Sequence, residues 1–447
     1  MKFKYAHLAD LHLGSWRDQK MRNLSTQAFL TAMDQCIAQQ IDFILFAGDL
    51  FNTSLPSLDT LKIVAKKLKE LQEKNIPLYV IAGSHDFSPS GKTMIDVLEN
   101  AGLLTNVCKG TVHPETQQLH LKFTTDRKTG VKITGILGRK GLLDRTYYQN
   151  LHLPSLEEEP GYKIFMFHTT LTELKPKHLE MMESHPVSFL PKHFNYYAGG
   201  HIHHPTKIEI DRYGPLTYTG ALFPNNFAEV EKYSHGGYYI IEDEIKQEDL
   251  IQQQNNQHNQ IKLHHPQDIE NQQVQPLPAT PQITWIPLEV IKHQKLILDC
   301  SEKSAEVMAF DIINHFNRMD LQNTLVTIRL TGKLKHGRVS DIPFPAIFDQ
   351  LYRQGALVIM KNTAGLTTEE FSEIKISTSN PELLEEEIIK EHLQQVKVFD
   401  QSTELDLTKS LLKAFNTQKR EGETITDFQR RVEEDTDKLL QVEESKE

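Results

Sequence analysis

The first 240 residues alternate between short apolar runs and longer amphipathic runs, and polar motifs follow the apolar runs. Five apolar runs have the length of strands and cover residues 2–9, 42–47, 77–82, 163–167 and 196–198. Three amphipathic runs have apolar residues at helical spacing and cover residues 24–40, 59–74 and 93–100. Alternating strands and helices predict an α/β fold in which helices cover the sheets.

Later composition changes predict the domain organisation. Residues 1–245 form the first domain, and residues 246–282 a flexible insert, because 14 of the 29 residues at 247–275 are Gln or Asn. Residues 283–380 are expected to form a smaller α/β domain, with helices at 305–316 and 347–354 and strands at 325–330 and 357–361. Residues 381–447 are a charged helical tail, with helices expected at 382–398 and 424–442.

Composition excludes several classes of protein. No run of about eighteen apolar residues exists, so no membrane span is expected, and no signal peptide precedes the first strand, which predicts a cytoplasmic protein. Three irregularly spaced cysteines, Cys36, Cys108 and Cys300, fit neither a disulfide framework nor a zinc ribbon. The net charge of −11 does not exclude a polyanionic substrate, because residues 381–447 carry 18 acids against 10 bases.

Five polar motifs follow strands of the first domain. They are Asp10-Leu11-His12, Gly48-Asp49, Gly83-Ser84-His85-Asp86, His168 and Gly200-His201-Ile202-His203. Each motif alone is more typical of a turn, a helix cap or a satisfied histidine. Together they supply carboxylates and imidazoles, which suit manganese, iron or zinc. Two such ions about 3.5–4 Å apart clamp a phosphodiester and activate a water. The motifs therefore predict a two-metal phosphoesterase.

This order of motifs resembles the calcineurin-like metallophosphoesterases, whose pattern is D-x-H, G-D, G-N-H-[DE], H, G-H-x-H. The runs at 7–14, 47–51, 82–86, 199–203 and 218–220 look most like the double-strand-break repair nucleases, which include the meiotic-recombination nuclease of archaea and eukaryotes and bacterial SbcD. The resemblance implies a four-layer metallophosphoesterase β-sandwich flanked by helices. It also implies that the smaller α/β domain caps the site and that a C-terminal helical segment follows.

The resemblance also implies a role for each polar residue. One ion would be held by Asp10, His12, Asp49 and His203. The second would be held by Asp49, Ser84, His168 and His201, so that Asp49 bridges. His85 would protonate the leaving 3′ oxygen as a general acid. The ions are expected to be Mn²⁺.

Two positions depart from the family pattern. Ser84 stands where the family has Asn, and a hydroxyl is a shorter and weaker metal donor than an amide. Asn52 stands where the family often has a histidine near the DNA path, three residues after the bridging aspartate. These departures put the affinity for the second ion and the efficiency of exonuclease action in question.

The family's partners are DNA, a second copy of the chain and an SMC-like ABC ATPase bound through the C-terminal helices. Candidate DNA contacts are Asn52, Arg17, Lys333, Lys335 and Arg338, although such basic residues are often only solvated charge. The predicted function is a DNA nuclease at double-strand breaks, with 3′–5′ exonuclease and single-strand endonuclease action near the nucleoid. The alternative is a calcineurin-like phosphatase or phosphodiesterase acting on another phosphoester.

Overall fold

The computed structural model describes residues 1–88, 93–175, 181–245, 281–336, 338–368, 389–390, 400–417, 419–420 and 423–440. The chain divides into two compact units, Met1–Thr367 and Thr368–Glu447. Among the described residues, the first unit contains two six-stranded sheets, one three-stranded sheet and a two-stranded sheet of Gly110–Val112 and Leu119–Leu121, and the second contains two helices. No helix among the described residues is long and apolar enough to cross a membrane.

The strands and helices are numbered here in chain order. The strands are β1 (Lys2–Leu8), β2 (Phe43–Ala47), β3 (Leu78–Ile81), β4 (Thr105–Asn106), β5 (Gly110–Val112), β6 (Leu119–Leu121), β7 (Thr124–Thr125), β8 (Lys132–Ile136), β9 (Lys163–His168), β10 (Tyr196–Gly200), β11 (Thr206–Ile208), β12 (Leu216–Tyr218), β13 (Gly236–Glu244), β14 (Gln282–Leu288), β15 (Lys292–Asp299), β16 (Thr324–Leu334) and β17 (Ala356–Thr368). The helices are α1 (Gln19–Ala38), α2 (Leu58–Glu73), α3 (Met94–Asn100), α4 (Arg145–Gln149), α5 (Leu153–Glu157), α6 (Phe227–Tyr233), α7 (Ala305–Phe316), α8 (Phe344–Arg353), α9 (Gln401–Phe415) and α10 (Ile425–Leu440).

Two six-stranded sheets form the centre of the first unit. The first has the order β14-β13-β1-β2-β3-β4, with β1 to β4 parallel and β13 antiparallel to both of its neighbours. The second has the order β11-β12-β10-β9-β8-β7, with β12, β10, β9 and β8 parallel. Within each parallel set the carboxyl ends lie at one edge of the sheet, where α/β folds present their ligands.

The two sheets pack face to face through buried side chains. Alternate residues of a strand point to opposite faces, so Tyr5 of β1 meets Met166 of β9 between the sheets. On the outer face of the first sheet, Phe46 packs with Leu68 of α2. On the outer face of the second, Phe165 packs in the cluster that contains residues of α4 and α5. The order helix, sheet, sheet, helix confirms the predicted four-layer α/β sandwich.

Local sequence explains where the helices of the outer layer begin and which face they bury. Asp18 and Ser57 precede α1 and α2, and each side chain accepts a hydrogen bond from a backbone N–H of the first turn. On α2 the residues Val64, Leu68 and Leu71 lie on one face and are buried. Their spacing of three and four residues is that of an amphipathic helix on a sheet.

A smaller α/β unit lies beside α1. Its sheet has the order β15-β16-β17 and shares an apolar core with α7 and α8. Leu325 and Val358 of this sheet pack with Met21 and Leu24 of α1. The predicted helix at 305–316 is confirmed, and the predicted strands at 325–330 and 357–361 extend to Thr324–Leu334 and Ala356–Thr368. The unit is therefore attached to the large sandwich by apolar contacts.

β14 belongs to the first large sheet. It pairs with β13 along its whole length, from Gln282 opposite Glu242 to Leu288 opposite Gly236. The sequence assigns residues from 283 onward to the smaller domain, whose own sheet begins at Lys292. An apolar run predicts a strand but not the sheet that it joins, which explains the difference.

The second unit is described through α9 and α10. Helix α10 confirms the helix expected at 424–442, whereas α9 was not predicted. The helix expected at 382–398 lies outside the described residues, apart from 389–390, which are helical. The Gln/Asn-rich insert also lies outside them, except for residues 281 and 282. The domain boundaries at 245, 282 and 380 stay predictions.

Candidate metal centre

The predicted site residues lie where strands of both sheets end. Asp10 and His12 follow β1, and Asp49 follows β2. His168 is the last residue of β9 and pairs in register with Gly200 at the end of β10. The two sheets approach closely here, because a Cβ on Gly48 would lie 2.3 Å from Nδ1 of His168. One edge of the sandwich thus brings five separate motifs together.

The backbone at this edge is strained at several non-glycine residues. Positive φ angles occur at Asp10 (53°), His12 (42°), Asp49 (54°) and His201 (91°). Such conformations are uncommon for residues with a Cβ and cost of order 1–3 kcal/mol each. Strain of this kind is common where a chain must aim side chains at a ligand.

A first group of possible ligand atoms comes from Asp10, His12 and His203, all within 4.8 Å of one another. Nε2 of His12 lies 3.1 Å from Nε2 of His203. Nδ1 of His203 donates a hydrogen bond to Oε1 of Glu229 at 3.0 Å, which directs the lone pair of Nε2 toward His12. Two imidazole nitrogens and a buried carboxylate facing one point form a donor set suited to a transition-metal ion.

A second group comes from Asp10, Asp49 and His168, all buried. Nδ1 of His168 donates to the carbonyl of Ala47 at 2.8 Å. Nε2 of His168 lies 3.2 Å from Oδ2 of Asp49, yet among the described residues it has no hydrogen-bond partner of good geometry. A buried ring nitrogen that faces two carboxylates fits a metal ligand.

A third group adds His85 to His12 and Asp49. The backbone N–H of His85 donates to Oδ1 of Asp49 at 2.8 Å, and Nδ1 of its ring donates to the carbonyl of Asn52, also at 2.8 Å. The rings of His12 and His85 meet edge to face, with centroids 4.7 Å apart. His85 is only half-buried, so it lies at the opening of the cluster.

The pKa values of neighbouring groups at the site are shifted in different directions. Burial raises the pKa of Asp10 to about 6, although His168 and His203 oppose this. Burial also favours a raised pKa at Asp49, but the adjacent His168 and His12 outweigh it and hold the pKa low. Burial lowers the pKa of His12 to about 3, whereas Asp49 outweighs burial at His168 and raises its pKa to about 10. A cation that binds His168 therefore has to displace a proton.

Two expected ligands, His201 and Ser84, lie outside the three groups described above. His201 meets His168 ring to ring with centroids 5.3 Å apart, and its backbone N–H donates to Asp10 Oδ1 at 2.9 Å. Burial lowers the pKa of His201 to about 4, so its ring is neutral near pH 7. Ser84 is 7 % exposed and follows Gly83, whose Cβ would lie 2.2 Å from Oδ1 of Asp49. Both residues lie beside the cluster, and their ligand roles stay predictions.

The candidate DNA contacts lie apart from the buried cluster. Arg17, Lys333, Lys335 and Arg338 are exposed. Asn52 is half-buried. It accepts the hydrogen bond from the His85 ring through its backbone carbonyl and not through its side chain. Exposure allows DNA contact at these residues without indicating it.

Three further polar residues near the site, Asp86, Asp144 and His185, were not identified from the sequence as residues that support the ligands. Asp86 accepts from the backbone N–H groups of Leu50, Phe51 and Gly83, and so fixes the loops that carry Asp49 and His85. Its place in the Gly83–Asp86 motif was a usable signal.

Asp144 and His185 are each 1 % exposed, with Nε2 of His185 3.8 Å from Oδ1 of Asp144. Among the described residues no side chain hydrogen-bonds their carboxylate oxygens or ring nitrogens. Burial lowers the pKa of His201, and the nearby Asp144 opposes this only weakly. No sequence signal marks this pair.

Comparison with known proteins identifies the fold of this region. Residues 3–205 match the family model described as calcineurin-like phosphoesterase. Residues 3–205 are a calcineurin-like phosphoesterase domain. The domain contains every predicted ligand, from Asp10 to His203, and the match confirms the resemblance inferred from the motifs.

Relatives of the phosphoesterase domain include proteins named for DNA repair. The DNA double-strand break repair protein Mre11 of Archaeoglobus fulgidus is 29% identical over 239 residues, which cover 51% of this chain and 52% of that protein. SbcD of Staphylococcus epidermidis, one of the subunits of the nuclease SbcCD, is 24% identical over 412 residues, covering 88% of this chain and 96% of that protein. A solved dimetal phosphatase from Danio rerio is 10% identical with a TM-score of 0.34, covering 54% of this chain and 92% of that chain. The chain spans about half the length of the archaeal relative.

Proposed function

We propose that this chain is a metal-dependent DNA nuclease that processes double-strand breaks. The phosphoesterase domain supports phosphoester hydrolysis, the name of the archaeal relative supports DNA as the substrate, and that of the staphylococcal relative supports nuclease activity. The finer proposal is 3′–5′ exonuclease and single-strand endonuclease action. A nuclease with these relatives would work at the nucleoid in the cytoplasm.

The observation that carries this proposal is the position of the Asp49 carboxylate. Its Oδ2 lies 3.5 Å from Nε2 of His12 on one side and 3.2 Å from Nε2 of His168 on the other. One carboxylate oxygen between two imidazoles is the arrangement that a bridging ligand needs. Asp10, His12, His203 and Asp49 would hold one Mn²⁺ ion, and Asp49, His168, His201 and Ser84 the second.

When bound, a pair of such ions polarises a phosphodiester and lowers the pKa of a coordinated water. The protein's own residues hold the carboxylates in position and supply a proton to the leaving group. The strained turns at Asp10 and Asp49 hold the carboxylates in place, and burial excludes bulk water from them. The Asn52 carbonyl anchors Nδ1 of His85, which leaves Nε2 of the imidazolium as the atom that gives a proton to the leaving 3′ oxygen.

The direct test is hydrolysis of DNA by the purified full chain with Mn²⁺. Linear double-stranded DNA, single-stranded DNA and p-nitrophenyl phosphate are compared, each with Mn²⁺ and with a chelator. The proposal expects cleavage of the DNA substrates that depends on Mn²⁺. If Mn²⁺-loaded protein hydrolyses the phosphomonoester but leaves both DNA substrates intact, the phosphatase alternative replaces the nuclease.

A second part of the proposal is a partner for the helices of the second unit, an SMC-like ABC ATPase. The staphylococcal relative is named as one subunit of a nuclease, which supports a partner subunit. The side chains of α9 and α10 that the structure describes are at most half-buried, and Leu412 and Phe415 are 43% and 63% exposed. A helix pair that leaves large apolar side chains in water has a surface suited to another protein.

Leu412→Glu combined with Phe415→Glu is expected to abolish binding of the ATPase subunit. Two charges on the contact surface cost several kcal/mol when buried without partners. Co-purification of the two subunits measures this, and Mn²⁺-dependent cleavage by the variant alone should equal that of the unchanged chain. Lys413→Glu, a charge change between the two positions, serves as control. Undiminished co-purification of the double variant would contradict the assignment of this surface.

We also propose that the chain forms a homodimer through the outer helices of the first sheet. Leu58 of α2 is 81% exposed, Val97 of α3 is 51% exposed, and Leu55 in the preceding loop is 74% exposed. Analytical ultracentrifugation of the chain is expected to give the mass of two copies, and Leu58→Asp with Val97→Asp the mass of one. A single-copy mass for the unchanged chain would contradict this dimer.

A further inference from the structure

One carboxylate outside the metal cluster contacts a predicted ligand directly. Oε1 of Glu229, on α6, accepts the Nδ1 hydrogen of His203 at 3.0 Å. The same carboxylate accepts from the backbone N–H of Asn225 at 2.8 Å and from the side-chain amide of Asn226 at 2.6 Å. Three donors on two oxygens fix the carboxylate in one orientation, and it in turn fixes the ring of His203.

The pair is largely removed from solvent, so the charge on Glu229 acts at short range. The side chains of Glu229 and His203 are 16% and 25% exposed. Glu229 accepts all three of these hydrogen bonds, as an ionised carboxylate does. A carboxylate on Nδ1 makes Nε2 of the same ring a stronger donor to a metal ion.

Helix α6 also contacts the smaller α/β unit. Glu231 forms a two-pronged ion pair with Arg329 of β16, with both oxygens 2.8 Å from Nε. Ser234, after the helix, contacts Nδ1 of His293 of β15 at 2.9 Å. Val230 is buried with Leu325 and Val358 of the small sheet. The helix that presents Glu229 is thus anchored in the smaller α/β unit.

We infer that Glu229 is a positioning residue for the metal ion of Asp10, His12 and His203. It selects the tautomer of His203 that leaves Nε2 unprotonated, and its charge strengthens that donor. The inference rests on the proposed metal-dependent function and adds to it a residue of α6, 26 positions from His203.

Calorimetric titration of Mn²⁺ into the metal-free full chain, without DNA, tests this role. Glu229→Gln keeps the shape and an oxygen acceptor but removes the charge, whereas Glu229→Ala removes both. Loss of such a supporting carboxylate weakens metal affinity by about 10–100-fold. We expect about a tenfold loss for Glu229→Gln and a larger loss for Glu229→Ala, each confined to one of the two ions. Cleavage rate at saturating Mn²⁺ should fall less than the affinity does.

Glu306→Gln is the matched control, because it makes the same change at an exposed glutamate of another helix, in the first turn of α7. Its Mn²⁺ affinities should equal those of the unchanged chain. Thermal unfolding in chelator separates a folding defect from a metal defect. If Glu229→Ala does not fold, Glu229→Gln decides. Unchanged affinity for both ions in Glu229→Gln overturns the inference, whereas Mn²⁺ binding without DNA cleavage by the unchanged chain overturns only the nuclease proposal.

Discussion

Asp49→Asn is expected to reduce Mn²⁺-dependent DNA cleavage by about a thousandfold or more. Its Oδ2 faces Nε2 of both His12 and His168, so it is placed to serve both ions. An amide has no charge with which to bridge two cations, and a loss of about 4 kcal/mol of transition-state stabilisation corresponds to a thousandfold. Asn is preferred to Ala because φ of 54° at this position is a conformation that Asn tolerates.

The measurement is the initial rate of cleavage at saturating Mn²⁺, together with the number of ions bound per chain. The variant should bind fewer than two. Asp59→Asn, in the first turn of α2 and exposed, is the control and should keep the full rate. A variant of Asp49 that still binds two ions and cleaves at the unchanged rate would refute the bridging role.

His85→Ala is expected to slow cleavage by about 10²–10⁴-fold while both ions still bind. The ring is half-buried at the opening of the cluster and held by the Asn52 carbonyl, which suits an acid rather than a ligand. The hydrogen bond from His85 to Asp49 comes from the backbone N–H, so the substitution leaves it in place. The variant should therefore keep the fold and the metal content.

A leaving group that needs no proton distinguishes the acid role from a binding role. With bis-(p-nitrophenyl) phosphate, whose leaving phenolate is stable, the loss on His85→Ala should shrink compared with DNA. His315→Ala, an exposed histidine of α7, is the control. An equal loss on both substrates, or loss of bound Mn²⁺, would show that His85 does not act as the acid.

The site residues at the strand ends were predictable because each polar motif directly follows an apolar run. Asp10, Asp49 and His168 each follow an apolar run, and the parallel sheets then bring those ends to one edge. Helix α2 was found within one residue at each end, since its apolar stripe marks it. These features depend on local sequence, which a single chain displays.

Other features depend on how distant segments meet, and the sequence does not display that. Glu229 reaches His203 only because α6 is anchored on the smaller unit through Val230 and Glu231. Gln282–Leu288 has the pattern of a strand, but its pairing with β13 rather than with the small sheet depends on tertiary contacts. Helix α9 was missed although six of its fifteen residues are apolar.

The two-ion arrangement around Asp49 is tested most directly by anomalous diffraction at the manganese absorption edge, on crystals of the full chain grown with Mn²⁺. Two peaks about 3.5–4 Å apart are expected. One should lie among Asp10, His12 and His203 and the other beside His168 and His201, with the Asp49 carboxylate between them. A single peak, or peaks only outside this cluster, would contradict a two-metal phosphoesterase.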